Sequence, residues 1–427
     1  MFLAAVAAVA MVTAALVQSP AALAERSPQP RIFTVFLSFS DWDTYPTGAR
    51  GGRGDLSVFT GPVSTSYRGS KSGTYTITAR VIDREGSGRK AVDLRDLRIQ
   101  IALSGGSVWA EGVVEDPATK PPTGVHILPV IGGTGDYATA RGTLIIRSLG
   151  SSGQYSLAYD VFVDPSLSRE RTKFDPASVE IVGGDDSDYS QVEPGDVLVT
   201  TRSSSSAETV ITSTVVARTR TEVTYEHEML IASSRGIAVA RGITTQKAGD
   251  VPAATRASFA ILGGTGEYES RRGEVRLVPG RAGALDMRAQ WGPQAAGKAS
   301  KRTWFEQSSS ATSVDTATGG ELSLDAGRMS NRRTKGNALG DYAGWTRALP
   351  SASPDTGQDG GASGWIVSSM EANFTQGTMM LAGVTPLAAE TRTWIVVGGT
   401  GDFGGATGVV TGVVKGGTWK MKATYRQ

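Results

Sequence analysis

Few side chains in this sequence can do chemistry together, and the densest set is Glu226-His227-Glu228. In an extended strand side chains alternate, so the two carboxylates share one face and His227 points to the other. Arg241 follows in the next strand-like run, and Glu111 holds the same place in an earlier, similar run. Turned towards the interior of a sheet, Glu111, Glu226, Glu228 and Arg241 would supply general acid–base groups or hold the polar end of a ligand. Turned the other way, they form a solvated face. The rest of the inventory is restrictive. Cys is absent, which removes disulfides, thiolate nucleophiles and Cys-based zinc sites together. His126 and His227 lie in different segments, so neither a multi-histidine metal site nor a Ser-His-Asp triad in each segment can be built. No metal and no cofactor is expected.

Two glycine patterns imitate nucleotide sites and fail on context. Gly399-Thr400-Gly401-Asp402-Phe403-Gly404 has the dinucleotide spacing, but β-branched residues follow where a helix would have to meet the pyrophosphate. Gly292 to Lys298 starts like a phosphate loop, yet Ala299 stands where the magnesium-binding hydroxyl belongs. With 43 basic and 41 acidic residues, the net charge of +2 builds no field for nucleic acid.

The elements that would position any site are set by a repeat. Gly132-Gly133-Thr134-Gly135-Asp136-Tyr137, Gly263-Gly264-Thr265-Gly266-Glu267-Tyr268 and Gly398-Gly399-Thr400-Gly401-Asp402-Phe403 share one pattern, each closed by a further Gly (Gly142, Gly273, Gly408). The copies are a domain length apart, not a solenoid repeat apart. Each is preceded by a Gly turn (Gly105-Gly106, Gly236, Gly377) and an apolar run, and followed by a β-propensity run such as Thr143-Leu144-Ile145-Ile146. The motif therefore joins strand to strand, its glycines allowing positive φ and its aromatic returning to cover the end of a core. Glu111, Arg241 and Ala382 occupy one position of the three copies, so the copies have diverged there.

Composition agrees with strands: 54 glycines and 39% hydrophobic residues, with little helix-period spacing, favour an all-β chain. Residues 1–24 lack charge, run apolar from Phe2 and end in Ala22-Leu23-Ala24, the pattern of an export signal, though no Lys or Arg stands near Met1. The expected organisation is a signal peptide at 1–24, domains at 31–165, 175–290 and 303–427, and a Gly/Pro/Ala/Lys-rich linker at 291–302. Ser351 to Gly364 reads as an exposed Ser/Gly-rich loop. No later stretch is long and apolar enough to span a bilayer as a helix, so a secreted or extracytoplasmic chain is expected.

Nearly the whole chain after the signal resembles the allene oxide cyclase and dirigent families, which share a small antiparallel β-barrel. The resemblance is carried by the three glycine motifs, by Gly54-Asp55-Leu56 with Phe59, by Ile237-Ala238-Val239, and by Ala140-Arg141-Gly142. It implies three tandem small antiparallel β-barrels. It also implies association in threes, either within the chain as a pseudo-trimer or as a homo-oligomer. Allene oxide cyclases use an acidic residue and an Asn near the first strand, and the matching region, Phe39 to Tyr45, offers Asp41, Asp43 and Tyr45 as catalytic candidates but no Asn.

The activity that follows from the resemblance is a cofactor-free cyclase or isomerase acting on a hydrophobic small molecule in a barrel lumen. The alternatives are a dirigent-like guide of radicals made by a separate oxidase, and an extracellular binding or structural protein with solidly packed lumens.

Overall fold

The computed structural model describes residues 29–38, 41–46, 52–118, 124–149, 153–174, 178–181, 191–204, 207–250, 256–280, 284–296, 298–316, 320–333, 336–350, 364–386, 389–415 and 417–427. The export signal expected at 1–24 and residues 351–363 of the Ser/Gly-rich loop lie outside them. The described chain is all-β, interrupted by short 3-10 turns.

The first sheet holds β1 (Gln29–Ser38), β2 (Asp41–Tyr45), β3 (Leu56–Ser64), β4 (Gly73–Glu85), β5 (Val92–Leu103), β6 (Gly106–Pro117), β7 (Val125–Gly133), β8 (Arg141–Ser148) and β9 (Gln154–Val163). The middle sheet holds β10 (Ser168–Phe174), β11 (Ser178–Ile181), β12 (Val197–Ser203), β13 (Ala207–Arg218), β14 (Glu222–Ser233), β15 (Gly236–Lys247), β16 (Ala257–Gly264), β17 (Gly273–Pro279) and β18 (Leu285–Trp291). The last holds β19 (Ser300–Thr316), β20 (Gly320–Ser330), β21 (Ala338–Pro350), β22 (Gly364–Phe374), β23 (Gly377–Pro386), β24 (Thr391–Gly399), β25 (Thr407–Lys415) and β26 (Thr418–Arg426).

All pairings are antiparallel between chain neighbours, with the first strand returning to the last. β1 pairs with β9 along its length and with β3 through Phe36↔Ser64 and Leu37↔Val63, which closes the first barrel. In the last barrel the long β19 bonds to β26 with its first half and to β20 with its second, a bulge at Ser308/Ser310 bending it between the two. In the middle sheet this task is divided: β10 pairs with β18 and β11 with β12, and among the described residues no pairing closes the ring between them. The pairing of β10 with β18 starts the middle unit at Ser168, ahead of the boundary expected at 175. Ser300 to Arg302, placed in the linker by composition, already belong to β19.

The glycine motif acts as a clasp. In every copy the Thr N–H donates to a carbonyl of the preceding hairpin strand, Thr134 to Ser107 at 2.8 Å, Thr265 to Ile237 at 2.7 Å and Thr400 to Thr378 at 3.0 Å. The Thr hydroxyl accepts the N–H of the same residue in return, at 3.1, 3.1 and 3.2 Å. Gly135, Gly266 and Gly401 sit at φ +59, +62 and +57, and a Cβ there would strike the carbonyl oxygens of Gly105, Arg235 and Gln376. Only glycine fits both demands.

Each sheet buries its inner face around its own core, for example Tyr75, Ile99 and Tyr159 in the first, Phe259 and Met287 in the middle, Trp304 and Met421 in the last. A separate cluster on the outer faces joins Trp109 and Ile131 of the first sheet, Leu230 and Leu262 of the middle, and Leu322 and Val397 of the last. The equivalent strands β7, β16 and β24 pack against one another pairwise. The first glycine of each motif makes that approach possible: a Cβ on Gly132 would meet Ala260 at 3.3 Å, on Gly263 Ile395 at 2.7 Å, and on Gly398 Pro129 at 3.1 Å.

Candidate functional site

The structure brings Glu111, Glu226, Glu228 and Arg241 together. They lie on the outer faces of β6, β14 and β15, but the neighbouring sheets cover them, so the face is neither solvated nor turned inward. Arg241 bonds Glu111 and reaches Glu228 at 2.8 Å. Arg98, absent from the expected set, completes the group: its guanidinium lies 3.0 Å from Glu111, 2.7 Å from Glu226 and 3.2 Å from Glu228. The last barrel contributes Ser369, whose hydroxyl donates to Glu111 at 2.7 Å, and Trp345, whose indole N–H donates to Asp96 at 2.7 Å. Burial opposes the charge on Glu111, but Arg241 and Arg98 outweigh it and hold the carboxyl below its ordinary range. Asp96 is pushed up to about 6, mostly by burial, with Arg98 resisting.

Cross-strand register explains the pairing. Arg98 faces Glu111 in the first barrel, Glu228 faces Arg241 in the middle sheet, and Ser369 faces Ala382 in the last barrel. The charges are reversed between the first two, so each cation finds the other sheet's carboxylate. The carboxylates of Glu111, Glu226 and Glu228 and the two guanidinium groups neutralise one another, although Arg241 Nε and Asp96 Oδ1 lack partners among the described residues, and the set reads as a brace between units.

Asp43 and Tyr45 do not face a lumen as the candidate role requires, and of Asp41 only the backbone is described. All three lie on β2, which runs along β3 outside the closed ring. Tyr45 packs with Leu56 and Val58 against Val216 of the middle sheet, and Asp43 is exposed. Burial and the adjacent Asp43 push the Tyr45 phenol up to about 12, the wrong direction for a phenolate base.

His227 points opposite to its neighbouring glutamates, onto the inner face of the middle sheet. Its Nδ1 lies 2.8 Å from the Ser213 hydroxyl and its Nε2 2.7 Å from that of Thr244, against Tyr225 and Phe259. Burial pushes it down to about 3, so the ring is neutral and fully occupied.

The last barrel holds a different arrangement. Trp304 and Glu306 alternate along β19 and are buried, Tyr342 of β21 and half-buried Asp325 of β20 lie on neighbouring strands, and Ser308, next in the alternation, is exposed. Glu306 is 4% exposed, and its Oε1 accepts the Trp304 indole N–H at 2.8 Å. Asp325, half-buried near the mouth, accepts the hydroxyls of Ser308 at 2.5 Å and Tyr342 at 3.0 Å. Burial pushes Glu306 up to about 8, helped by the Asp325 charge, so it carries a proton at neutral pH. Burial also raises Asp325, against its two hydroxyl donors, and raises the Tyr342 phenol. A protonated acid beside a hydrogen-bonded second carboxyl is an acid–base pair. The buried Trp394 indole N–H has no acceptor among the described residues.

No family model matches this chain. No curated protein matches it either. Among solved structures, a chain titled "Pyocyanin demethylase" is similar over 30% of this chain and 100% of that chain, at 19% identity and a TM-score of 0.24.

The acid pair belongs to the last copy, since the equivalent positions of the first carry apolar side chains. Register with the closing strand makes Glu306 the counterpart of Leu37, and pairing with the next strands makes Asp325 and Tyr342 the counterparts of Phe59 and Tyr75. The resemblance points to an acidic residue near a first strand. Applied to the first copy it selects Asp41 and Asp43, whose register counterparts in the last copy are Ser310 and Thr312, whereas the acid lies earlier on the last copy's first strand, in Trp304-Phe305-Glu306.

Proposed function

We propose that this is an exported protein whose units close as three barrels in one pseudo-trimeric chain, with the last barrel's lumen performing cofactor-free isomerisation or cyclisation of a largely apolar small molecule. The observation that carries the reading is the Glu306–Asp325–Tyr342 group, in a barrel interior whose buried side chains include Trp304, Met329, Trp394 and Met421. Protonated Glu306 would donate to a substrate oxygen or unsaturated carbon while the Asp325 carboxylate takes a proton from elsewhere on the same molecule. The step is redox-neutral, and every atom of the substrate is kept. Apolar walls strengthen these interactions by excluding water. The first barrel and middle sheet, whose cores are built on side chains such as Phe59, Tyr75, Phe259 and Trp291, serve in this reading as the frame.

The aromatic lining also favours a second reading, a guide that stacks aromatic radicals supplied by a separate oxidase and directs their coupling. The purified protein and its Glu306→Gln variant, incubated with a panel of epoxides and polyenes, separate the two. Enantiomerically enriched product from the wild type, lost in the variant, supports the enzyme. Racemic product with both, together with stereoselective coupling when a laccase-type oxidant is added, supports the guide. Neither effect would discard the lumen as a site.

A further inference from the structure

The residue before the closing glycine of the motif is Arg141 in the first copy, Arg272 in the second and Thr407 in the third. These equivalent positions converge where the three units meet, around a cavity of about 20 Å³ also lined by Thr139, Ser270 and Asp164. Arg272 is 4% exposed, and its guanidinium donates only to backbone carbonyls: Val130 at 3.3 Å and Ala140 at 2.9 Å in the first barrel, Val397 at 2.7 Å and Ala406 at 3.3 Å in the last. No ion pair joins it to a carboxylate among the described residues. Burial lowers Arg272 to about 9, with the Arg141 charge adding to the effect and no acid offsetting it. A buried cation normally has a counter-ion.

Two further groups open onto the same cavity. The hydroxyls of Ser270 and Thr407 are buried, and neither has a hydrogen-bond partner among the described residues. Ser270 is held at φ +61, a conformation that costs a non-glycine residue about 1 kcal/mol or more. The Asp164 carboxylate works against an anion at this edge, but its Oδ1 is turned to the Ser166 N–H at 2.8 Å. The space suits one water or one monatomic ion and is too small for a phosphate ester.

We infer that this junction is a halide site, a single chloride held between Arg141, Arg272, Ser270 and Thr407 and binding the three units together. The two unpaired hydroxyls of Ser270 and Thr407 donate to a spherical anion, while Arg272, whose terminal N–H groups are already given to the four carbonyls, attracts it by charge, and the anion needs no proton of its own. Because the site needs residues from all three copies, ion binding is linked to their assembly.

The test is the melting temperature of the full chain across a sodium chloride series, with ionic strength held constant by sodium gluconate, whose anion is too large for the cavity. The chloride NMR linewidth is read on the same samples. The wild type should melt higher as chloride rises and should broaden the chloride resonance. Arg141→Gln should lose both responses while melting normally in gluconate, since Arg141 is only half-buried, and Arg141→Lys should keep part of them. Thr407→Val gives the same reading should the arginine variant fail to fold. A melting temperature independent of chloride, with a linewidth equal in wild type and variant, would mean that a water fills the cavity and would overturn the assignment.

Discussion

Arg241 of the middle sheet and Glu111 of the first barrel face each other across the seam between the two units, both essentially excluded from solvent. Removing one partner leaves the other charged, buried and with fewer partners. Glu111→Ala should therefore destabilise the chain by about 3–5 kcal/mol, read from urea midpoints. The Glu111→Ala/Arg241→Ala double variant should lose less than the sum of the single losses. Additive losses would show that the pair is not coupled.

Glu306 yields a pH prediction with a definite sign. Its folded value of about 8 lies above the ordinary 4.5, so between those values the folded chain binds the extra proton. Its contribution is therefore greatest below about pH 4.5 and is lost as pH rises towards 8. Denaturant titrations over this range should give a flatter profile for Glu306→Gln than for the wild type. The activity proposed for the last barrel should likewise decline as pH rises through about 8.

His227 acts in the opposite direction. Its folded value is depressed to about 3 against an ordinary 6.5, so the unfolded chain takes up the proton first as pH falls. The neutral ring's contribution is full above 6.5 and is lost on acidification towards 3. Histidine NMR should show one ring, His227, unprotonated throughout the folded range below pH 6. A ring titrating near its ordinary value would contradict the buried placement.

The clasp glycines should be far less replaceable than other left-handed glycines. Gly266→Ala combines φ +62 with a clash at the Arg235 carbonyl, and a loss of about 2–3 kcal/mol is expected. Gly417→Ala shares a positive φ, +76, but has nothing within 4 Å, and should cost about 1 kcal/mol. Equal losses would remove the close approach as the reason for the motif.

Much of the fold was legible because its signals are local. Positive φ at Gly135, Gly266 and Gly401, the hairpin turns at Gly106, Gly236 and Gly377, and alternation along β14 are each set within a few residues. Alternation correctly separated His227 from Glu226 and Glu228. It could not say what covered either face, so the four candidate binding residues emerged as a brace, and Arg98 was missed although Glu111 lies directly across the strand pair from it.

What the sequence determined by itself was the strand content, the threefold repetition of a turn, and the absence of thiols and of histidine clusters, since these depend on composition and on neighbours along the chain. Only the tertiary structure decided that the outer faces of three sheets cover one another, that Asp43 and Tyr45 lie outside a barrel, and that Glu306 and Asp325 meet inside one. The reason is physical: burial and electrostatic neighbours are properties of distance in space, and strands far apart in sequence supply both.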